Sequence, residues 1–194
     1  MAAIYDLKSG PHEAHIDLQI AAYWELQRSG TDEGMIFDEE KHIFTCNGEV
    51  IPSVTQILKA NRLTPDGYDF IDPWYLQRGT YIHQATEMFD KGTLSDDYND
   101  ESILPYLEAY KTFRRDFNGK ITGIEKKLWH PKLKYAGIID RTIEGHICYA
   151  LHLKPGQKVP YKLEEVKDIR GKFNIFQSAL NLCNWRSQNM KEEN

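Results

Sequence analysis

Three apolar runs of strand length stand almost end to end in this chain, at residues 123–129, 135–143 and 146–153. The first two are separated by HPKLK, and Glu144-Gly145 leaves room only for a very tight turn between the last two. A segment built this way must contribute several strands to a sheet and cannot be absorbed into a helical bundle. Around it the pattern changes period. Residues 14–28 carry Ile16, Ile20, Tyr23 and Leu26 at three- and four-residue steps, residues 74–91 read as a second long helix, and residues 104–116 place Leu107, Tyr110 and Phe113 on one face. A last helix is expected over residues 174–187.

Further strands are expected at residues 3–7, at 35–46 and 49–51 around an Asn47-Gly48 hairpin turn, and at 161–166. Ser53, after Pro52, suits the cap of a short helix through Leu58. No internal repeat or low-complexity stretch interrupts this order, so the expectation is a single mixed α/β domain over residues 1–194, a central mixed β-sheet flanked by helices.

The 194 residues are 41% hydrophobic and 12% aromatic, enough to fill a core. Three cysteines at 46, 148 and 183 cannot pair fully and cannot form a four-thiolate cluster, which points to a reducing, cytoplasmic setting. No apolar run reaches the roughly 20 residues of a membrane span, and MAAIYDLKSG lacks the pattern of a signal peptide. The net charge of -5 argues against a wholly cationic nucleic-acid binder, but its distribution is uneven. Residues 111–134 hold eight bases against Asp116 and Glu125, a local charge of +6, and residues 84–108 hold seven acids against Lys91. A basic lane beside an acidic site is one reading of that contrast; an ordinary solvated surface is the other.

Several residues can carry chemistry. Asp6 and Lys8, at i and i+2 of a strand, share a face, so a carboxylate that can hold a cation stands beside an ammonium that can orient water. Asp140 follows the apolar YAGII and suits a strand end facing a cleft, or a turn cap; Glu125 in ITGIEKKLW is a further carboxylate. His83 and Glu87 share a helix face, as do Gln19 and Tyr23.

Taken together these blocks resemble the PD-(D/E)XK nuclease superfamily, in its RecB-like and phage exonuclease-like branch. YAGIIDR resembles the strand ending in a metal-binding Asp, and YDLKSG the acidic-x-Lys strand. DLQIAAY resembles the helix with Gln and Tyr four apart, RGTYIHQATE the helix with a functional His, and IEKKLW the strand that supplies a Glu. FDEEKHIFTCNGEVIPSVTQIL is similar to the usual opening of such nucleases. The resemblance implies a restriction-endonuclease-like core. It also implies Mg²⁺- or Mn²⁺-dependent hydrolysis of DNA phosphodiesters, most directly by an exonuclease of recombination, repair or phage DNA processing in a bacterial or phage-infected cell.

In that reading Asp140, Asp6 and the carbonyl of Leu7 hold the ion, with His83 and Glu125 as further ligands. Lys8 acts on the attacking water, Gln19 and Tyr23 position substrate or Lys8, and Arg114, Arg115, Lys126 and Lys127 meet backbone phosphates. The order departs from the family: the acidic-x-Lys block precedes Asp140 by 132 residues instead of following it, so the chain is circularly permuted relative to the pattern. The N-terminal strand then either inserts beside the Asp140 strand of its own chain or is exchanged with a second copy in a homo-oligomer. Two other classes stay open: a non-catalytic nucleic-acid-binding or assembly protein on a degenerate nuclease fold, and a hydrolase of small phosphate esters.

Overall fold

Strand β1 (Ala2–Ile4) lies between the two strands that a tight turn was expected to join, β6 (Ala136–Ile143) and β7 (Tyr149–Leu153). It runs antiparallel to β6, with Ala2 opposite Arg141, and parallel to β7, with Ala2, Ala3 and Ile4 opposite Tyr149, Ala150 and Leu151. Of the two outcomes open to the N-terminal strand, residues 2–4 take the first: they pair within their own chain. The link at 144–148 therefore steps over a strand, about 9.6 Å at two strand spacings, and β7 starts three residues later than the apolar run that contains it. With β5 (Ile121–Trp129) and β8 (Tyr161–Glu165) the sheet has the order β5-β6-β1-β7-β8. It is a mixed sheet with flanking helices.

This computed structural model describes residues 2–4, 12–64, 73–145 and 147–190. Asp6, Leu7 and Lys8 lie outside the described residues. The chain forms two compact units, each drawn from three separate stretches: Met1–Lys8, Gly67–Lys126 and Asp140–Glu165 in the first, and Ser9–Asp66, Lys127–Ile139 and Val166–Asn194 in the second.

In the first unit, helices α3 (Pro73–Lys91) and α4 (Leu104–Asp116) cover the sheet. Ile82 and Ala85 of α3, Leu107, Tyr110 and Phe113 of α4, and Leu151 and Leu153 of β7 form one buried cluster. The alternation on β7 and the three-residue steps on α4 are what bring these side chains to a common face. β5 and β6 are antiparallel in this unit: the amide of Glu144 donates to the carbonyl of Lys120, and the hydroxyls of Thr122 and Thr142 stand 3.1 Å apart. Further along the hairpin His130 faces Tyr135. β5 thus carries one residue more than β6 between these points, and Glu125, which lies between them, takes a left-handed φ of 48°.

In the second unit, helices α1 (His12–Ser29), α2 (Val54–Ala60) and α5 (Ile169–Asn189) accompany a separate sheet of β2 (Met35–Asp38), β3 (Ile43–Cys46) and β4 (Glu49–Ile51). The stretch 35–46, expected as one strand, is two, turning through residues 39–42. Asn47 and Gly48 both have positive φ, 50° and 82°, as the tight hairpin turn requires. Ser53 caps α2 in a reciprocal pair with Gln56, whose side chain accepts from the Ser53 amide at 2.8 Å. α5 begins five residues before the expected start, and the Asp168 side chain caps it by accepting from the amide of Gly171. No helix among the described residues is long and apolar enough to cross a membrane.

Candidate metal centre

Three of the residues singled out from sequence meet in the first unit. His83 comes from α3, Glu125 from β5 and Asp140 from β6, and each offers a ligand atom within 4.8 Å of the other two. Helical spacing sets His83 one turn from Glu87, and the left-handed backbone at Glu125 interrupts the alternation of β5 where that carboxylate is needed. All three side chains are partly buried, His83 at 34%, Glu125 at 26% and Asp140 at 17% relative exposure.

Nδ1 of His83 is 3.8 Å from Oδ2 of Asp140. That exceeds a hydrogen bond and lies within the roughly 4.2 Å that two ligands of one cation can span with metal–ligand bonds of about 2.1 Å. One imidazole and two carboxylates form a donor set appropriate to Mn²⁺, and to Mg²⁺ with more water in its coordination sphere. The residues present therefore fit a hard divalent ion.

The electrostatics agree with that fit. Burial, followed by the nearby charges of Asp140 and Glu87, pushes the Glu125 carboxyl up to about 7, against opposing pulls from Arg141 and Lys91. Like charges held close in a desolvated place are costly, and a bound cation relieves the cost. Glu87 is engaged by Lys91 one turn further along α3.

Beside the triad lies a charged cluster that sequence reasoning missed. Asp90, with a side chain only 2% exposed, accepts from Nε of Arg141 at 2.5 Å, from Nε of Arg114 at 2.9 Å and from the Tyr110 hydroxyl. Nη1 of Arg141 donates to the carbonyl of Asp140 at 2.7 Å and stands 3.6 Å from Oε1 of Glu125. Burial works against the Arg141 charge, and Tyr110 and Asp90 more than offset it, so its pKa is raised. Burial likewise pushes the Tyr110 hydroxyl far above its ordinary range. Two signals were present in sequence: Asp90 is two turns on from His83, and Arg141 is a charge set inside an apolar strand.

Gln19 and Tyr23 are both buried in the second unit, where the Gln19 amide donates to the Tyr23 hydroxyl at 2.9 Å. Arg114 is turned onto Asp90, and exposed Arg115 pairs with Asp116 at 3.5 Å. Lys127 pairs with Glu39 and lies over the Phe37 ring, and Lys134 pairs with Glu49 over Trp129. Lys126 is exposed. Three of the eight bases of the +6 segment, Arg114, Lys127 and Lys134, are thus matched by acids that are distant in sequence.

Comparison of the chain with protein-family models, with curated proteins and with solved structures finds no match.

Proposed function

We propose that this chain is a metal-dependent deoxyribonuclease, an exonuclease of the PD-(D/E)XK type with its motifs in permuted order. The observation that carries the proposal is the convergence of His83, Glu125 and Asp140, which come from three separate sequence blocks and meet within 4.8 Å. The insertion of β1 between β6 and β7 supports it further, because the strand that leads to Asp6 and Lys8 pairs directly with the strand of Asp140.

In this reading Asp140, Glu125 and His83 would hold Mg²⁺ or Mn²⁺, together with Asp6 and the carbonyl of Leu7, which lie outside the described residues. The ion, when bound, supplies Lewis-acid polarisation of the phosphoryl group and offsets its developing charge. Lys8 takes the proton of the attacking water or orients it. Gln19 and Tyr23, buried against each other in the second unit, are left without a role in the reaction, whereas Arg115 and Lys126 meet phosphates, contacts that confer affinity without sequence readout. Arg114, held by Asp90, serves that role less directly.

The test is hydrolysis of linear and closed-circular DNA with Mg²⁺ or Mn²⁺ by the parent protein, Lys8→Ala and Asp140→Ala. Metal-dependent loss of linear DNA, absent in both variants while DNA binding persists, is the expected result. Equal activity in all three proteins, or none in the parent, refutes the assignment.

A further inference from the structure

Arg141 contacts two of the candidate ligands and has no assigned role in the proposed reaction. Arg141 is 2% exposed, so its charge is held inside the first unit at a cost that only specific partners offset. Asp90 supplies the counter-charge through Nε, and Asp90 is itself fixed by Arg114 and Tyr110, from α4. With Nε anchored, the guanidinium plane is set, and Nη1 reaches the carbonyl of Asp140 at 2.7 Å. The same nitrogen is 3.6 Å from Oε1 of Glu125, near enough for attraction and too far to occupy that oxygen with a hydrogen bond. Arg141 can therefore hold two candidate ligands, one by its backbone and one by its charge, while leaving both carboxylates able to donate to a cation. A simple counter-ion would use up Glu125; a spacing of 3.6 Å does not.

On the reading of His83, Glu125 and Asp140 as a metal centre, we propose that Arg141, anchored by Asp90, is the positioning residue that preorganises Glu125 and Asp140 for the divalent ion. A fixed positive charge this close to a cation site also repels the cation. If repulsion dominated, removing the charge would tighten metal binding; if positioning dominates, removing it loosens binding. The rigid hold on Arg141 from Asp90 and the direct bond to the Asp140 backbone favour positioning. Losing a partner of this kind at a metal site weakens binding by roughly 10–100-fold.

The experiment is Mn²⁺ titration of the full chain, followed by the electron spin resonance of free Mn²⁺, at a temperature where circular dichroism shows each variant folded. Arg141→Met is expected to bind at least about tenfold more weakly than the parent, with Arg141→Lys in between because the charge remains without the fork. Tyr135→Phe, which removes a buried hydrogen bond to the Ala22 carbonyl in the second unit, serves as a destabilised control with unchanged affinity. If the Arg141 variants do not fold, Asp90→Asn keeps the shape, weakens the anchor and is expected to lose affinity in the same direction. Parent-like or tighter binding in the folded Arg141 variants, or in Asp90→Asn where those do not fold, overturns the positioning role and leaves the metal centre standing. A parent protein that binds no Mn²⁺ overturns the metal centre, and the positioning role with it.

Discussion

Nδ1 of His83 stands 3.8 Å from Oδ2 of Asp140, a helix residue and a strand residue 57 positions apart brought close enough to reach one ion. Neither His83→Ala nor Asp140→Asn disturbs a large apolar side chain, so both variants should fold. Mn²⁺ affinity should fall in each by more than the roughly 10–100-fold that follows loss of a supporting partner, because a ligand itself is gone. Calorimetric titration of the two variants beside the parent checks this, and undiminished binding by either would remove that residue from the centre.

Glu125 gives the site a pH dependence of definite sign. Its carboxyl, pushed up from 4.5 to about 7, binds a proton in the folded chain that the unfolded chain has already released. Its contribution to stability is therefore fully present below about pH 4.5 and is lost as pH rises through about 7. Glu125→Gln should flatten that part of the stability profile of the metal-free protein, measured by urea unfolding between pH 4.5 and 8. In the parent, Mn²⁺ binding should weaken as pH falls below about 7, since protonated Glu125 is a poor ligand. A pH-independent affinity between 5.5 and 8 would contradict the assignment of Glu125.

Gly137 on β6 sits where backbone and aromatic ring approach closely. A Cβ there would lie 2.5 Å from Cε1 of Tyr23, which is buried and bonded to Gln19. Gly137→Ala should cost about 1–3 kcal/mol through overpacking. Thermal unfolding measures it, and a stability equal to the parent's would show that Tyr23 can move aside.

Cysteine reactivity should separate cleanly. Burial pushes the Cys46 thiol up to about 11, against a pull from Lys134, and also raises that of buried Cys148. Cys183 is only partly buried, and the Asn61 amide points to its sulfur at 3.1 Å. The thiolate is the reactive form, so a disulfide reagent at pH 8 should label one cysteine quickly and two only on unfolding. Fast titration of two or three thiols in the native protein would show that Cys46 or Cys148 is open to solvent.

Local sequence determined the elements and several of the site's members. The i, i+4 spacing placed His83 and Glu87 together, Asn47-Gly48 turned the hairpin with two positive φ angles, and Ser53 capped α2, because each depends on a few neighbouring residues whose geometry is dictated by sterics and nearby hydrogen bonds. Asp140 was legible as an acid after an apolar run, but it lies inside β6 (Ala136–Ile143) and not at the strand end its position suggested, because the strand runs on through Arg141, Thr142 and Ile143. Tertiary structure alone decided the rest. The short link at 144–148 reads as a hairpin until β1 is seen to occupy the place between β6 and β7, a choice made by backbone pairing between segments about 140 residues apart. The bulge that turns Glu125 depends on register, and the joining of Asp90 to Arg141 depends on α3 packing against the sheet. Periodicity reports which face of an element is apolar; which charged groups then meet across those faces is fixed only when the faces pack, because buried charges are tolerated only where partners from other elements arrive.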